Sequence, residues 1–106
     1  MIDHANIRAQ LEAQRTELAA RSGRLEAELA EPLSADWEEQ AVQREDDESL
    51  DAQASLIDRD IAAIDAALGR IDNGSYGKCA VCGKDIAEAR LTAMLTATRC
   101  VACASV

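Results

Sequence analysis

All four cysteines of the chain fall into two Cys-x-x-Cys pairs, Cys79-Ala-Val-Cys82 and Cys100-Val-Ala-Cys103, with seventeen residues between them. Two residues between cysteines let a tight turn aim both thiolates at one ion, and a second pair completes a tetrahedron of soft sulfur ligands. Two such pairs about fifteen to twenty residues apart form a recognised zinc spacing. Gly83, directly after Cys82, supplies the backbone freedom that such a turn uses. Other chemistry competes for the same residues. Two disulfides would suit a secreted mini-protein, but the chain opens without an apolar signal segment. A dithiol redox pair needs a single Cys-x-x-Cys in an alternation of strands and helices, and the sequence has none. An iron–sulfur cluster uses the same four thiolates, and the spacing leaves it open. A closed four-thiolate site leaves zinc no position for a reacting water, so the expectation is one structural Zn2+ held by Cys79, Cys82, Cys100 and Cys103.

What positions these cysteines is a chain of 106 residues with no phenylalanine, one tryptophan and one tyrosine. That length supports one small domain without a large core. Alanine and leucine in place of aromatics suggest helices meeting along a narrow seam. Leu11, Leu18 and Leu25 recur every seven residues, with Ile7 and Leu29 nearby, and predict a helix over 3–31. Pro32 ends it and disfavours helical geometry at Glu31. A second helix is expected over 37–72, where Leu50, Ala54, Ile57, Ile61, Ile64, Leu68 and Ile71 alternate spacings of four and three. Extending that stripe backwards gives Asp47 and Gln43, so the seam turns polar towards the connection. Asn73-Gly74 supplies the stop. A connection of 32–36 forces an antiparallel return. The expected fold is mainly α: a long antiparallel two-helix coiled-coil hairpin over 1–73, with an acidic tip near 32–41, and a C-terminal four-cysteine zinc finger over 74–106.

The formal charge of −9 is concentrated in the middle of the chain. Residues 35–78 hold twelve acids and four bases, whereas 79–106 hold two acids and three bases. A phosphate-neutralising surface needs the opposite sign, which argues against sequence-specific DNA binding. No run of eighteen apolar residues exists, so no membrane span is expected. Reduced thiols without an export signal point to the cytoplasm. No side-chain set offers a nucleophile and base beside an open metal position, so no enzyme is expected. Asp36 and Glu39, three residues apart at the start of the second helix, form a capping pair on their own physics. The acids Glu45-Asp46-Asp47-Glu48 read as a solvated face, and His4, near the start of the chain, carries no evident role.

The run Ile71-Asp72-Asn73-Gly74-Ser75-Tyr76-Gly77-Lys78-Cys79, followed by Val81-Cys82-Gly83 and Ile86, resembles the zinc-finger signature of the DksA/TraR family. Arg90-Leu91-x-Ala93-x-x-Thr96-Ala97 before Cys100 resembles it too. The resemblance implies a transcription regulator whose hairpin enters the secondary channel of bacterial RNA polymerase. Family members carry Asp-x-x-Asp-x-Ala at the tip. The ungapped equivalents are Asp36, Glu39 and Ala41, with Glu39 longer by one methylene. Arg90 matches a family arginine near the polymerase contact surface, and Trp37 beside the tip is expected to be exposed and partner-facing. Leu56, Ala63 and Ala104 stand where longer members place basic residues towards the nucleotide ppGpp. None can pair with phosphate, so ppGpp binding is not expected. A monomer is expected. The other reading is a zinc-stapled helical adaptor for a different protein partner.

Overall fold

The computed structural model describes residues 2–32 and 35–104. Within these residues four helices follow in chain order: α1 His4–Leu29, α2 Trp37–Asn73, α3 Glu88–Ala93 and α4 Val101–Ala104. Among the described residues there is no strand, only an isolated antiparallel bridge between Lys78 and Asp85. Within the described residues no helix is long and apolar enough to cross a membrane. Leu33 and Ser34, inside the connection expected at 32–36, lie outside the described residues.

The helix ends follow local chemistry. Asp3 caps α1: the N–H of Asn6 donates to its Oδ1 at 3.1 Å, and the N–H of Ile7 to its carbonyl at 3.0 Å. The far end stops at Leu29, two residues short of the expected boundary. There the N–H of Glu31 reaches only to Glu28, 3.2 Å away, so the ladder tightens before Pro32 makes helical geometry unfavourable at Glu31. Asp36 caps α2, its Oδ1 accepting from the N–H groups of Glu38 at 2.9 Å and Glu39 at 3.2 Å. At the other end α2 closes in a Schellman turn. The N–H of Ser75 donates to the Arg70 carbonyl at 2.9 Å and that of Gly74 to Ile71 at 3.4 Å, with Gly74 at φ 82°.

The apolar stripe of α2 is continuous. Gln40, Gln43, Asp47, Leu50, Ala54, Ile57, Ile61, Ile64, Leu68 and Ile71 are all buried or half-buried, at unbroken spacings of three and four. This is the expected seam together with its polar extension. On α1 the counterpart is less regular: Leu11 and Leu25 are buried and Leu18 half-buried, but Arg15 is exposed. A heptad seam on each helix lets the two pack antiparallel as a hairpin.

The chain separates into two compact units. One comprises 1–14 and 63–106; its described buried hydrophobics are Leu11, Ile64, Ala67, Tyr76, Cys79, Ile86, Leu91 and Ala97. Ala67 lies off the expected stripe. The other unit comprises 15–62, where the described buried hydrophobics are Leu25 and Ile57.

Candidate functional site

The first cysteine pair sits on a short doubled-back segment. The Lys78–Asp85 bridge and ion pair close it, the N–H of Cys79 donates to Lys84 at 2.8 Å, and the N–H of Ile86 donates to Gly77 at 2.7 Å. Inside it the chain turns so that the N–H of Gly83 meets the Cys79 carbonyl at 3.0 Å. Gly83 has φ 76°, a left-handed conformation that side chains disfavour. The second pair is built differently. Cys100 and Cys103 lie on one helical turn that opens α4, with the N–H of Ala104 donating to the Cys100 carbonyl at 2.9 Å. A backbone bond ties the two pairs together, from the N–H of Ala80 to the Thr98 carbonyl at 2.8 Å.

The four sulfurs lie within 4.8 Å of one another. Cys82 Sγ and Cys100 Sγ are 3.8 Å apart. A zinc ion with Zn–S bonds of about 2.3 Å in tetrahedral geometry requires sulfurs roughly 3.8 Å apart, so the arrangement fits one ion. All four are free thiols rather than disulfides. Their proton affinities diverge for structural reasons. The backbone N–H groups of Cys82 and Cys100 hold the Cys79 thiol down at about 5. The N–H of Cys103 lowers that of Cys100. Hydrogen bonding with the Cys100 sulfur pushes the Cys103 thiol up to about 12. Sulfurs this crowded cannot all carry charge without a cation among them, and a closed soft donor set suits zinc. The zinc would be structural: its ligands hold two chain segments together.

The segment leading to Cys100 is gripped from outside. Tyr76, buried, donates its hydroxyl to the Leu95 carbonyl at 2.7 Å. Burial pushes its phenol above the ordinary value, against the lowering effect of the Arg70 charge. Arg70 Nη2 lies 3.5 Å from the Thr96 carbonyl, and Arg90 Nε donates to the Arg99 carbonyl at 2.9 Å. Arg90 is half-buried on α3. His4, to which the sequence assigned no role, stacks edge-on against Tyr76 with ring centroids 6.1 Å apart. These contacts escape sequence reading because each ends on a backbone carbonyl or ring distant along the chain. α3 escaped it as well, being six residues long with no side-chain cap and one buried residue, Leu91.

At the start of α2 the other residues singled out by sequence stand together on the first turns. Asp36, Glu39 and Ala41 are exposed, and Trp37 is 87% exposed, as expected for it. Asp36 spends one carboxylate oxygen on the cap. Of the acidic run, Asp47 is half-buried in the seam, while Glu45, Asp46 and Glu48 are exposed. Leu56 is 53% exposed, Ala63 is half-buried and Ala104 is exposed.

A helical hairpin that carries a four-cysteine zinc finger defines a class, and the comparisons narrow it. Residues 7–71 match the family described as DnaK suppressor protein-like, N-terminal domain, and residues 74–106 match the prokaryotic dksA/traR C4-type zinc finger. The chain belongs to the DksA/TraR family. An uncharacterized protein of Aquifex aeolicus (strain VF5) is 37% identical over 81 residues, 76% of this chain and 54% of that protein. The chain thus spans about half the length of that curated relative. The solved structure of transcription factor DksA2 from Pseudomonas aeruginosa is similar at a TM-score of 0.82 and 29% identity, covering 96% of this chain and 80% of that one.

Proposed function

We infer that the protein is a bacterial transcription regulator that binds RNA polymerase through its secondary channel and modulates initiation with the hairpin tip. The reading assigns it no catalysed reaction and no recognition of DNA sequence. What supports it, beyond family membership, is the first turn of α2. Asp36, Glu39 and Ala41, which the sequence resemblance aligns with the family's tip motif, are exposed, beside a tryptophan that is 87% exposed. A capped aspartate is held in one orientation by two backbone N–H groups, so it meets a partner at little further cost in order. The net charge of −9 weighs against a phosphate-binding surface. The zinc finger in this reading has a structural role, and the acids of the tip act on the polymerase by charge or hydrogen bonding.

The test pairs polymerase binding with initiation assays on wild type, Asp36→Asn and Ala41→Thr. The expected result is that wild type binds polymerase and alters initiation, and that both variants bind but lose most of the effect. Wild type that does not bind, or variants that regulate like wild type, would overturn the reading. A pull-down dominated by another protein would favour the zinc-stapled adaptor.

A further inference from the structure

We propose that Arg90 is a positioning residue of the zinc centre, fixing the ligand Cys100 through the carbonyl of Arg99. The approach to the second cysteine pair, Leu95–Arg99, lies between α3 and α4 and has no regular structure of its own. A segment like this is fixed only by what holds its polar groups. Four of its five carbonyls meet donors from elsewhere: Leu95 from Tyr76, Thr96 from Arg70, Thr98 from the Ala80 backbone and Arg99 from Arg90. The fifth residue, Ala97, is buried.

Arg90 holds the last of these carbonyls, in the peptide group that joins Arg99 to Cys100. Its Nε–H donates at 2.9 Å, a charge-assisted bond to a neutral acceptor. Fixing that peptide plane fixes where the Cys100 Cα, and so its sulfur, starts. Groups that orient a metal ligand without touching the ion typically contribute about 10- to 100-fold in metal affinity. The sequence resemblance gives Arg90 a partner-contact role that would use its charge. The bond seen here uses its donor geometry, and the two are separable. Glutamine carries an N–H donor the same number of bonds from Cα as arginine Nε, without the charge.

The experiment uses the full zinc-loaded chain and the variants Arg90→Ala, Arg90→Gln and Arg99→Ala. Zinc transfer to a chromophoric chelator is timed, and the ligand-field absorption of each cobalt-substituted protein is recorded. Arg90→Ala is expected to release zinc about 10-fold faster and to shift the cobalt bands. Arg90→Gln is expected to stay within about twofold of wild type, and Arg99→Ala, which removes a neighbouring charge but leaves the accepting carbonyl, to match wild type. An Arg90→Ala protein with wild-type release and cobalt spectrum overturns the proposal. So does an Arg90→Gln protein that releases zinc as fast as Arg90→Ala, since charge and not the bond would then hold the site. Should Arg90→Ala fail to fold, the Arg90→Gln and Arg99→Ala comparison with wild type still decides between donor and charge.

Discussion

Removing the metal tests the assignment of the zinc as structural. Apart from the ion, the two cysteine pairs are joined directly by a backbone bond, Ala80 to Thr98, and the second pair is steadied by Arg90 on the Arg99 carbonyl. Bonds of these kinds net about 1 kcal/mol each, or roughly 1.5–3 kcal/mol where one partner is charged. Bound structural zinc contributes roughly 10–16 kcal/mol in small zinc modules, so the protein's own bonds, even with those of Tyr76 and Arg70, fall short of replacing it. Chelation is therefore expected to release the two pairs from one another and to free Tyr76, whose hydroxyl is tied to Leu95 between them. The first turn of α2 is held by the Asp36 cap, which owes nothing to the metal. The single tyrosine and single tryptophan report these places separately. After complete metal removal, the near-ultraviolet signal of Tyr76, read in a Trp37→Phe background, should collapse and trypsin should cut at Lys84 and Arg99. Trp37 emission in the wild-type chain should stay unchanged. An unchanged tyrosine signal and tryptic pattern in protein shown to be metal-free would refute the structural assignment.

Two further outcomes follow from the same geometry. The raised proton affinity of Tyr76 means that its contribution to stability is complete below the ordinary tyrosine value near 10 and is lost as pH rises through the higher folded value. Phenolate absorbance of the folded, zinc-loaded protein should therefore titrate at higher pH than that of the unfolded chain, and coincident midpoints would contradict the burial argument. Asp36→Ala removes the acceptor of two N–H groups and should cost about 1 kcal/mol, whereas Asp36→Asn keeps the cap and should be near neutral. Urea unfolding followed by far-ultraviolet circular dichroism separates them, and shows whether a loss of regulation in Asp36→Asn comes from charge rather than from a frayed helix.

The parts of the fold legible in the sequence are those set by local rules. The α2 stripe was readable because its period is set by the helix and most of its members are aliphatic, and its polar end at Gln43 and Asp47 followed by extrapolating that period. The caps at Asp36 and Gly74 were readable because each acts within a few residues of itself. The cysteine cluster was readable because four like ligands at paired spacing have few uses. What stayed hidden depends on three-dimensional neighbours. Ala67 is buried although it lies off the heptad stripe, because the helix buries a wider face in the unit that contains the finger. Arg90, Arg70 and Tyr76 bond to carbonyls nine to twenty-six residues away, and a carbonyl leaves no mark in a sequence.

The unbroken stripe from Gln40 to Ile71 also restricts how such a chain can change in length. Inserting one residue into α2 turns everything beyond it by about 100° and carries the aliphatic side chains out of the seam. Seven residues, by contrast, restore the facing to within roughly 20° and add about 10.5 Å. A hairpin of this design can therefore grow or shrink in whole heptads, added to both helices together. Its reach is a quantity that varies in steps, and a lineage or an engineer adjusting it would have to move from one step to the next.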